Sequence, residues 1–245
     1  MNSTNRKDPV RLVALSDGLF ATVLTLLVLD LRLPDALSAQ GGNITVFLKW
    51  VGPHMFSYLL TFFVAGFYWL AHHRDFEHIH DYDRGLLGYN LLFLLFVGLL
   101  PFSTAAVGVG GFTSDAFPFY WAIYCANIIL AGILLTLTWT YAIAHGQVDA
   151  EVTPEMSLYI IVRQLLTPAV FLVSIAAEYL FPRAYLGPYA LILIPVAQRA
   201  VDRSYARLQA NGLVGRLGWK EVAWRAGVTL IWVAIIWFAA LTSTR

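Results

Sequence analysis

Long apolar runs separated by short polar stretches dominate the chain. The runs cover about 11–33, 46–70, 86–109, 117–144, 156–180 and 185–201, and a further Trp-rich apolar run covers 223–242. A helix of about 20 predominantly apolar residues crosses the hydrocarbon core of a bilayer. The pattern therefore predicts an all-α, polytopic helical membrane protein with six transmembrane helices and a seventh, C-terminal apolar helix. We expect a six-helix domain over 1–201, followed by a basic linker and the C-terminal helix over 202–245.

Polar side chains recur along the first apolar run. Ser16 and Asp17 lie near its start, and an aspartate at membrane depth costs about 2.5 kcal/mol or more, so Asp17 should face protein or water. At 100° per residue, one face of this helix carries Leu15, Gly18, Thr22, Thr25, Leu26, Leu29 and Leu33. Each threonine taken alone is explained by a hydroxyl bonded to a carbonyl one turn earlier. Because Asp17 precedes these threonines and leucines follow them, a pore-lining stripe explains the face better than separate hydroxyl–carbonyl bonds do.

Composition narrows the class of protein. The chain is 59% hydrophobic and 13% charged with a mean hydropathy of +0.67, whereas an average soluble domain has about 25% charged residues. A net charge of +1 argues against nucleic-acid binding, which needs a concentrated basic surface. The single cysteine, Cys125, cannot form a disulfide within one chain. These values predict an integral membrane protein whose main partner is the lipid bilayer.

The distribution of basic residues predicts the orientation. If the N-terminus is cytoplasmic, ten lysines and arginines lie in the inner segments and three, Arg32, Lys49 and Arg183, lie in the outer ones. Cytoplasmic loops carry the excess of positive charge. We therefore expect a cytoplasmic N-terminus.

Several short motifs carry a resemblance to a known family. The sequence Arg11-x-x-x-Leu15-Ser16-Asp17 resembles the Arg-x-x-x-Phe-Ser-Asp signature of the transmembrane protein 175 family of lysosomal and bacterial potassium channels, with leucine in place of the aromatic residue. Further matches to family patterns are Thr25-Leu-Leu-Val-Leu-Asp30, Trp69-x-x-His72-His73 and Asn90 followed by Phe93 and Leu99-Leu100-Pro101-Phe102. The resemblance covers roughly residues 11–200 and fits the bacterial, single-repeat type.

The resemblance implies a function and a set of residues. It implies a potassium-permeable channel in the plasma membrane of a bacterium, assembled as a homotetramer, with K⁺ as the permeant ion, no cofactor and no enzymatic activity. Its first helix would line the pore through Gly18, Thr22, Thr25, Leu26 and Leu29. A hydrogen-bonded network that positions this helix would comprise Arg11, Ser16, Asp17, Trp69, His72 and Asn90. Where the family has a bulky aliphatic residue this chain has Thr22, so either Thr22 forms a wider ring and the constriction moves to Leu26 or Leu29, or this member conducts differently.

Other interpretations stay open. The polar cluster at the ends of the first three spans could simply hold helices in register. The segment His72-His73-Arg-Asp75-Phe-Glu77-His78-Ile-His80-Asp81 could bind zinc or iron in a membrane enzyme, although a polar cytoplasmic loop with titrating histidines explains it more simply. Pro53 and Pro168 occupy comparable places in two halves, as in a secondary transporter. The sequence contains no catalytic motif.

The helical period also predicts a control for the pore. Val23 and Leu27 point about 100° away from the face that carries Thr22 and Leu26. We expect them to tolerate alanine with little effect on ion flux.

Overall fold

The computed structural model describes residues 8–31, 44–110, 115–180 and 190–210, and this part of the chain is helical apart from short connections. The helices are α1 (Val10–Leu27), continued by a 3₁₀ turn (Val28–Leu31), α2 (Ile44–Glu77), α3 (Arg84–Gly98), α4 (Leu100–Gly110), α5 (Phe117–Ala144), α6 (Pro154–Leu180) and α7 (Ala190–Ala210). The all-α prediction is confirmed.

The number of spans differs slightly from the prediction. Among the described residues, five stretches are long and apolar enough to cross a membrane: Val10–Leu27, Val51–Glu77, Arg84–Gly108, Phe117–Ala144 and Pro154–Leu180. The predicted sixth span at 185–201 is described only from residue 190, and there α7 runs on to Ala210 through Arg199, Arg203 and Arg207. Its second half is therefore too charged for a span. The predicted seventh helix at 223–242 and residues 32 and 33 of the first run lie outside the described residues.

Two boundaries depart from the sequence pattern for local reasons. The second helix does not end at residue 70 but continues to Glu77, so His72 and Asp75 are helical and do not lie in a loop. The third apolar run is divided at Leu99 into α3 and α4. Pro101 explains this break, because its ring nitrogen has no hydrogen to donate to the carbonyl one turn earlier.

Helix α5 lies at the centre of the bundle and packs against α3, α4 and α6. Its core is aromatic, with Trp121 and Tyr124 fully buried near Phe171 of α6. Gly132 lets α6 approach closely, because a Cβ atom there would collide with the ring of Pro168 and lie 2.8 Å from the Tyr68 hydroxyl of α2. This packing leaves α1 at the periphery, where it contacts α2, α3 and α4.

Candidate functional site: the exposed face of the first helix

Helix α1 has one buried face and one uncovered face. The buried face consists of Leu12, Ser16, Phe20, Val23 and Leu27. The opposite face, which carries all five residues predicted to line a pore, is exposed in the single chain: Gly18, Thr22, Thr25, Leu26 and Leu29. The rotation of α1 about its own axis therefore decides which side chains another chain, water or lipid can meet.

Val23 and Leu27, the two positions expected to serve as neutral controls, are buried core residues. Their exposed fractions are 2% and 0%. Their burial makes them unsuitable as controls for ion flux, because removing buried methyl groups leaves a cavity that costs about 0.5–5 kcal/mol, depending on the side chain and the site. A substitution at either position would change stability as well as any pathway.

A first tether fixes the rotation of α1 against α2. The indole Nε1 of Trp69 donates a hydrogen bond of 2.9 Å to Oδ1 of Asp17. Asp17 is half-buried, so the bond satisfies a carboxylate that the bilayer would otherwise penalise. Trp69 also stacks on His73, with ring centroids 5.5 Å apart.

A second tether joins three helices. Asn90 of α3 donates from Nδ2 to the Ser16 hydroxyl of α1 at 3.2 Å, and its Oδ1 lies 2.9 Å from Nε2 of His72 on α2. Ser16 in turn donates to the Leu12 carbonyl at 3.0 Å. Since the Asn90 oxygen can only accept, Nε2 of His72 carries the proton in this arrangement. All three side chains are buried, so each lost bond would leave an unpaired polar group.

Aromatic rings hold the His72 imidazole in place. Phe76 stacks on it at a centroid distance of 4.3 Å, and Phe93 stacks at 5.6 Å. Phe20 of α1 lies 6.0 Å from Phe93 and 6.3 Å from His72. Sequence reasoning included Phe93 only as part of a family pattern and missed Phe20 and Phe76, although the spacing of Phe76 four residues after His72 was a usable signal.

The structure brings five of the six predicted network residues together and leaves Arg11 apart. Arg11 is exposed and makes no hydrogen bond or ion pair with another described residue. Ser16, Asp17, Trp69, His72 and Asn90 form the two tethers.

The two threonine hydroxyls are bonded within their own helix. Thr22 donates to the Gly18 carbonyl at 2.8 Å, and Thr25 donates to the Thr22 carbonyl at 2.7 Å. A hydroxyl oxygen that donates its hydrogen keeps lone pairs free to accept. The exposed face of α1 therefore presents oxygen atoms outward without leaving a donor unpaired.

The end of this face is not α-helical. Leu29 lies in the 3₁₀ turn Val28–Leu31, where the rise is about 2.0 Å per residue in place of 1.5 Å. It remains exposed, so the stripe continues, with a longer spacing between residues 26 and 29 than an α-helix would give.

The histidine-rich segment is dispersed by the fold. His73 lies 3.4 Å from Glu77, His78 packs edge-on against Trp139, and His80 lies 3.3 Å from Asp149 in the connection after α5. His72 points into the network described above. No group of three or more potential metal ligands comes together in the described part of the chain. The side chains of this segment thus have separate partners, and the geometry does not favour the metal-enzyme alternative.

Comparison with known proteins agrees with this geometry. The family model described as endosomal/lysosomal potassium channel TMEM175 matches residues 11–101. This region, which holds both tethers and all of α1 except its first residue, is similar to the TMEM175 family, and the predicted resemblance is confirmed.

The TMEM175 resemblance extends to named relatives. A protein named potassium channel from Chryseobacterium sp. (strain P1-3) is 24% identical over 184 residues, which cover 75% of this chain and 90% of that protein. The endosomal/lysosomal proton channel TMEM175 of Bos taurus is 30% identical over 227 residues, covering 84% of this chain. The matched region spans only 46% of the bovine protein.

A solved structure shares the TMEM175 fold. The crystal structure of a lysosomal potassium-selective channel TMEM175 homolog from Chamaesiphon minutus superposes with a TM-score of 0.64 at 23% identity. The match covers 76% of this chain and 94% of the other. At this identity the likeness concerns the fold.

Proposed function

We propose that this chain is the subunit of a potassium-permeable cation channel whose pore is lined by α1. The proposal rests on one observation. Two hydrogen-bonded tethers turn Ser16 and Asp17 of α1 toward the rest of the protein and leave the face with Thr22 and Thr25 uncovered. One uncovered face cannot enclose a pore. Four copies related by closed cyclic symmetry would bring four such faces around one axis.

The chemistry of the face suits a cation. Rings of Thr22 and Thr25 oxygens would replace part of the hydration shell of K⁺, and rings of leucine would gate by excluding water. The sequence has no carbonyl-lined filter of the Thr-Val-Gly-Tyr-Gly type. We therefore expect modest selectivity for K⁺ over Na⁺. Because Thr22 is small and polar, the narrowest ring is assigned to Leu26 or Leu29.

The named relatives support a channel and not an enzyme. The bacterial relative is named a potassium channel, and the bovine relative is named a proton channel. The apolar helices place the protein in a membrane. We assign it to the bacterial plasma membrane. The cytoplasmic position of the N-terminus follows from the excess of basic residues in the segments on that side.

A liposome flux assay tests the proposal. Purified protein should pass current down a K⁺ gradient without a coupled ion, which a secondary transporter does not do. Leu26→Ala and Leu29→Ala remove apolar walls, so conduction should rise several-fold and preference for K⁺ should fall. Thr22→Ile should narrow the path and lower conduction.

Leu92→Ala is the matched control. Leu92 lies on α3 and has the same exposed fraction as Leu29, 48%. The same truncation there should leave flux unchanged. Equal responses at 29 and 92, or no response at 22, 26 and 29, would show that α1 does not line the pathway.

A further inference from the structure

A cavity of about 430 Å³ lies between α2, α5, α6 and α7, on the side of the protomer away from α1. It is within the roughly 300–1,000 Å³ of typical small-molecule sites. Its walls come from the last turns of α2, the first half of α6, Leu135 of α5 and Gln198 of α7. Nothing in the proposed conduction path uses it.

Polarity changes along the depth of the cavity. Phe67, Tyr68 and Leu135 line its deep part, whereas Asp75, Glu77 and Arg163 line the part near the end of α2 and the start of α6. From residue 67 to residue 75 an α-helix rises about 12 Å. The cavity therefore has an apolar end at membrane depth and a polar end near the membrane surface, the gradient that an amphiphilic molecule needs.

The polar end contains buried oxygen atoms that the described part of the chain does not fully satisfy. Asp75 is 3% exposed, and its Oδ2 accepts 2.6 Å from Nε2 of Gln164, its single hydrogen-bond donor in the described part of the chain. Gln164 is 6% exposed, and its Oε1 is buried without any partner among the described residues. A carboxylate and an amide oxygen that both lie buried and under-satisfied call for a ligand with several donors.

Neither arginine that lines the cavity forms an ion pair with Asp75. Arg163 lies 3.3 Å from Asp202, which also accepts from the Tyr159 hydroxyl at 2.7 Å, so this arginine is already paired. Arg74 is exposed and its Nε donates to the Leu70 carbonyl. Asp75 makes no ion pair with a described residue. A buried carboxylate without a cation is costly, and a bound ammonium group would relieve that cost.

We propose that this cavity is a binding site for amphiphilic organic amines. The ammonium group donates to Asp75 and to the oxygen of Gln164, and the apolar body lies against Phe67, Tyr68 and Leu135. The site is separate from the proposed pore, so the inference does not depend on what the protein conducts.

Three probes of one shape test the charge preference. Isothermal titration calorimetry on the full-length, detergent-solubilised protein, with protein-free detergent as the blank, compares adamantan-1-amine, adamantan-1-ol and adamantane-1-carboxylate. We expect saturable binding of one amine per chain. The alcohol and the carboxylate should bind at least tenfold more weakly. Equal binding of all three, or no saturable binding of the amine, would overturn the proposal.

Asp75→Asn locates the site. This substitution keeps the shape of the side chain and an oxygen for the Gln164 donor but removes the charge, so amine affinity should fall at least tenfold. Asp81→Asn, the same change outside the cavity, should leave affinity unaltered. If the amine affinity of Asp75→Asn is unchanged, the amine binds elsewhere, for example in the pore, and the proposal is overturned. If Asp75→Asn does not fold, the three-probe comparison on the unmodified protein decides.

Discussion

At the scale of single residues, the orientation of α1 depends on a few polar contacts. Trp69 reaches Asp17, and Asn90 lies between Ser16 and His72. Each contact joins residues far apart in the chain, and each is short enough to be a full hydrogen bond. A few hydrogen bonds therefore fix the rotation of α1 about its own axis, because its remaining contacts are apolar and constrain that rotation less.

Asp17→Ala should lower the free energy of unfolding by about 1–3 kcal/mol, because it leaves the Trp69 donor unpaired. Trp69→Phe removes the other partner. The double variant should be less destabilised than the sum of the two, with a coupling of about 0.5–3 kcal/mol measured by thermal unfolding. Thr25→Ala, an exposed control on the same helix, should change stability by less than about 0.5 kcal/mol. Strict additivity would show that the two side chains do not interact.

At the scale of elements, capping residues determine where a helix begins, which the apolar runs do not indicate. Helix α3 begins at an N-cap, Asp83, whose Oδ1 accepts from the Leu86 backbone N–H at 2.8 Å. Its Oδ2 accepts from the Tyr141 hydroxyl of α5 at 2.8 Å. The backbone hydrogen bond from Leu86 and, to a lesser extent, the one from Tyr141 hold the pKa of this carboxyl below its usual value. One side chain therefore starts α3 and ties it to α5.

Asp83→Ala should cost about 0.5–2 kcal/mol of unfolding free energy, and Asp83→Asn, which keeps an accepting oxygen, much less. Because the folded pKa is lowered, the ionised group adds stability above its unfolded pKa of about 3.9, and this is lost as the pH falls through the folded pKa. Thermal unfolding of Asp83→Asn should accordingly depend less on pH on the acid side of pH 4 than that of the unmodified protein. Identical acid dependence would contradict the assignment.

At the scale of the whole molecule, the exposed face of α1 is the surface that meets other copies in the proposed tetramer. Leu26 and Leu29 remain accessible next to the hydroxyls of Thr22 and Thr25, the combination that the proposed pore would place around its axis. In a cyclic assembly, only residues near the axis approach their own copies. The proposed tetramer therefore makes a geometric prediction about α1.

Native mass spectrometry should show a complex of four chains. In a Cys125→Ser background, Leu29→Cys should form disulfide-linked dimers on mild oxidation, because its copies surround the axis. Leu92→Cys, equally exposed but on α3, should stay monomeric on denaturing gels. Cross-linking at 92 but not at 29 would place a different helix at the axis.

The sequence by itself determined the features that depend on short-range periodicity. Five apolar runs of membrane length correspond to the five described spans, and the 100° period places Gly18, Thr22 and Leu26 on one face of α1. Local motifs were also sufficient for the family resemblance over residues 11–101. Such signals survive without tertiary information because helix geometry fixes which side chains share a face.

The tertiary structure decided which faces are covered and which distant polar groups meet. It buried Val23 and Leu27, separated the histidines of 72–81, left Arg11 exposed and paired Asp75 with Gln164, 89 positions away. Periodicity assigns a residue to a face but does not say what packs against that face. Partners for buried polar groups are chosen by packing in three dimensions, where the cost of an unpaired donor or acceptor selects one arrangement.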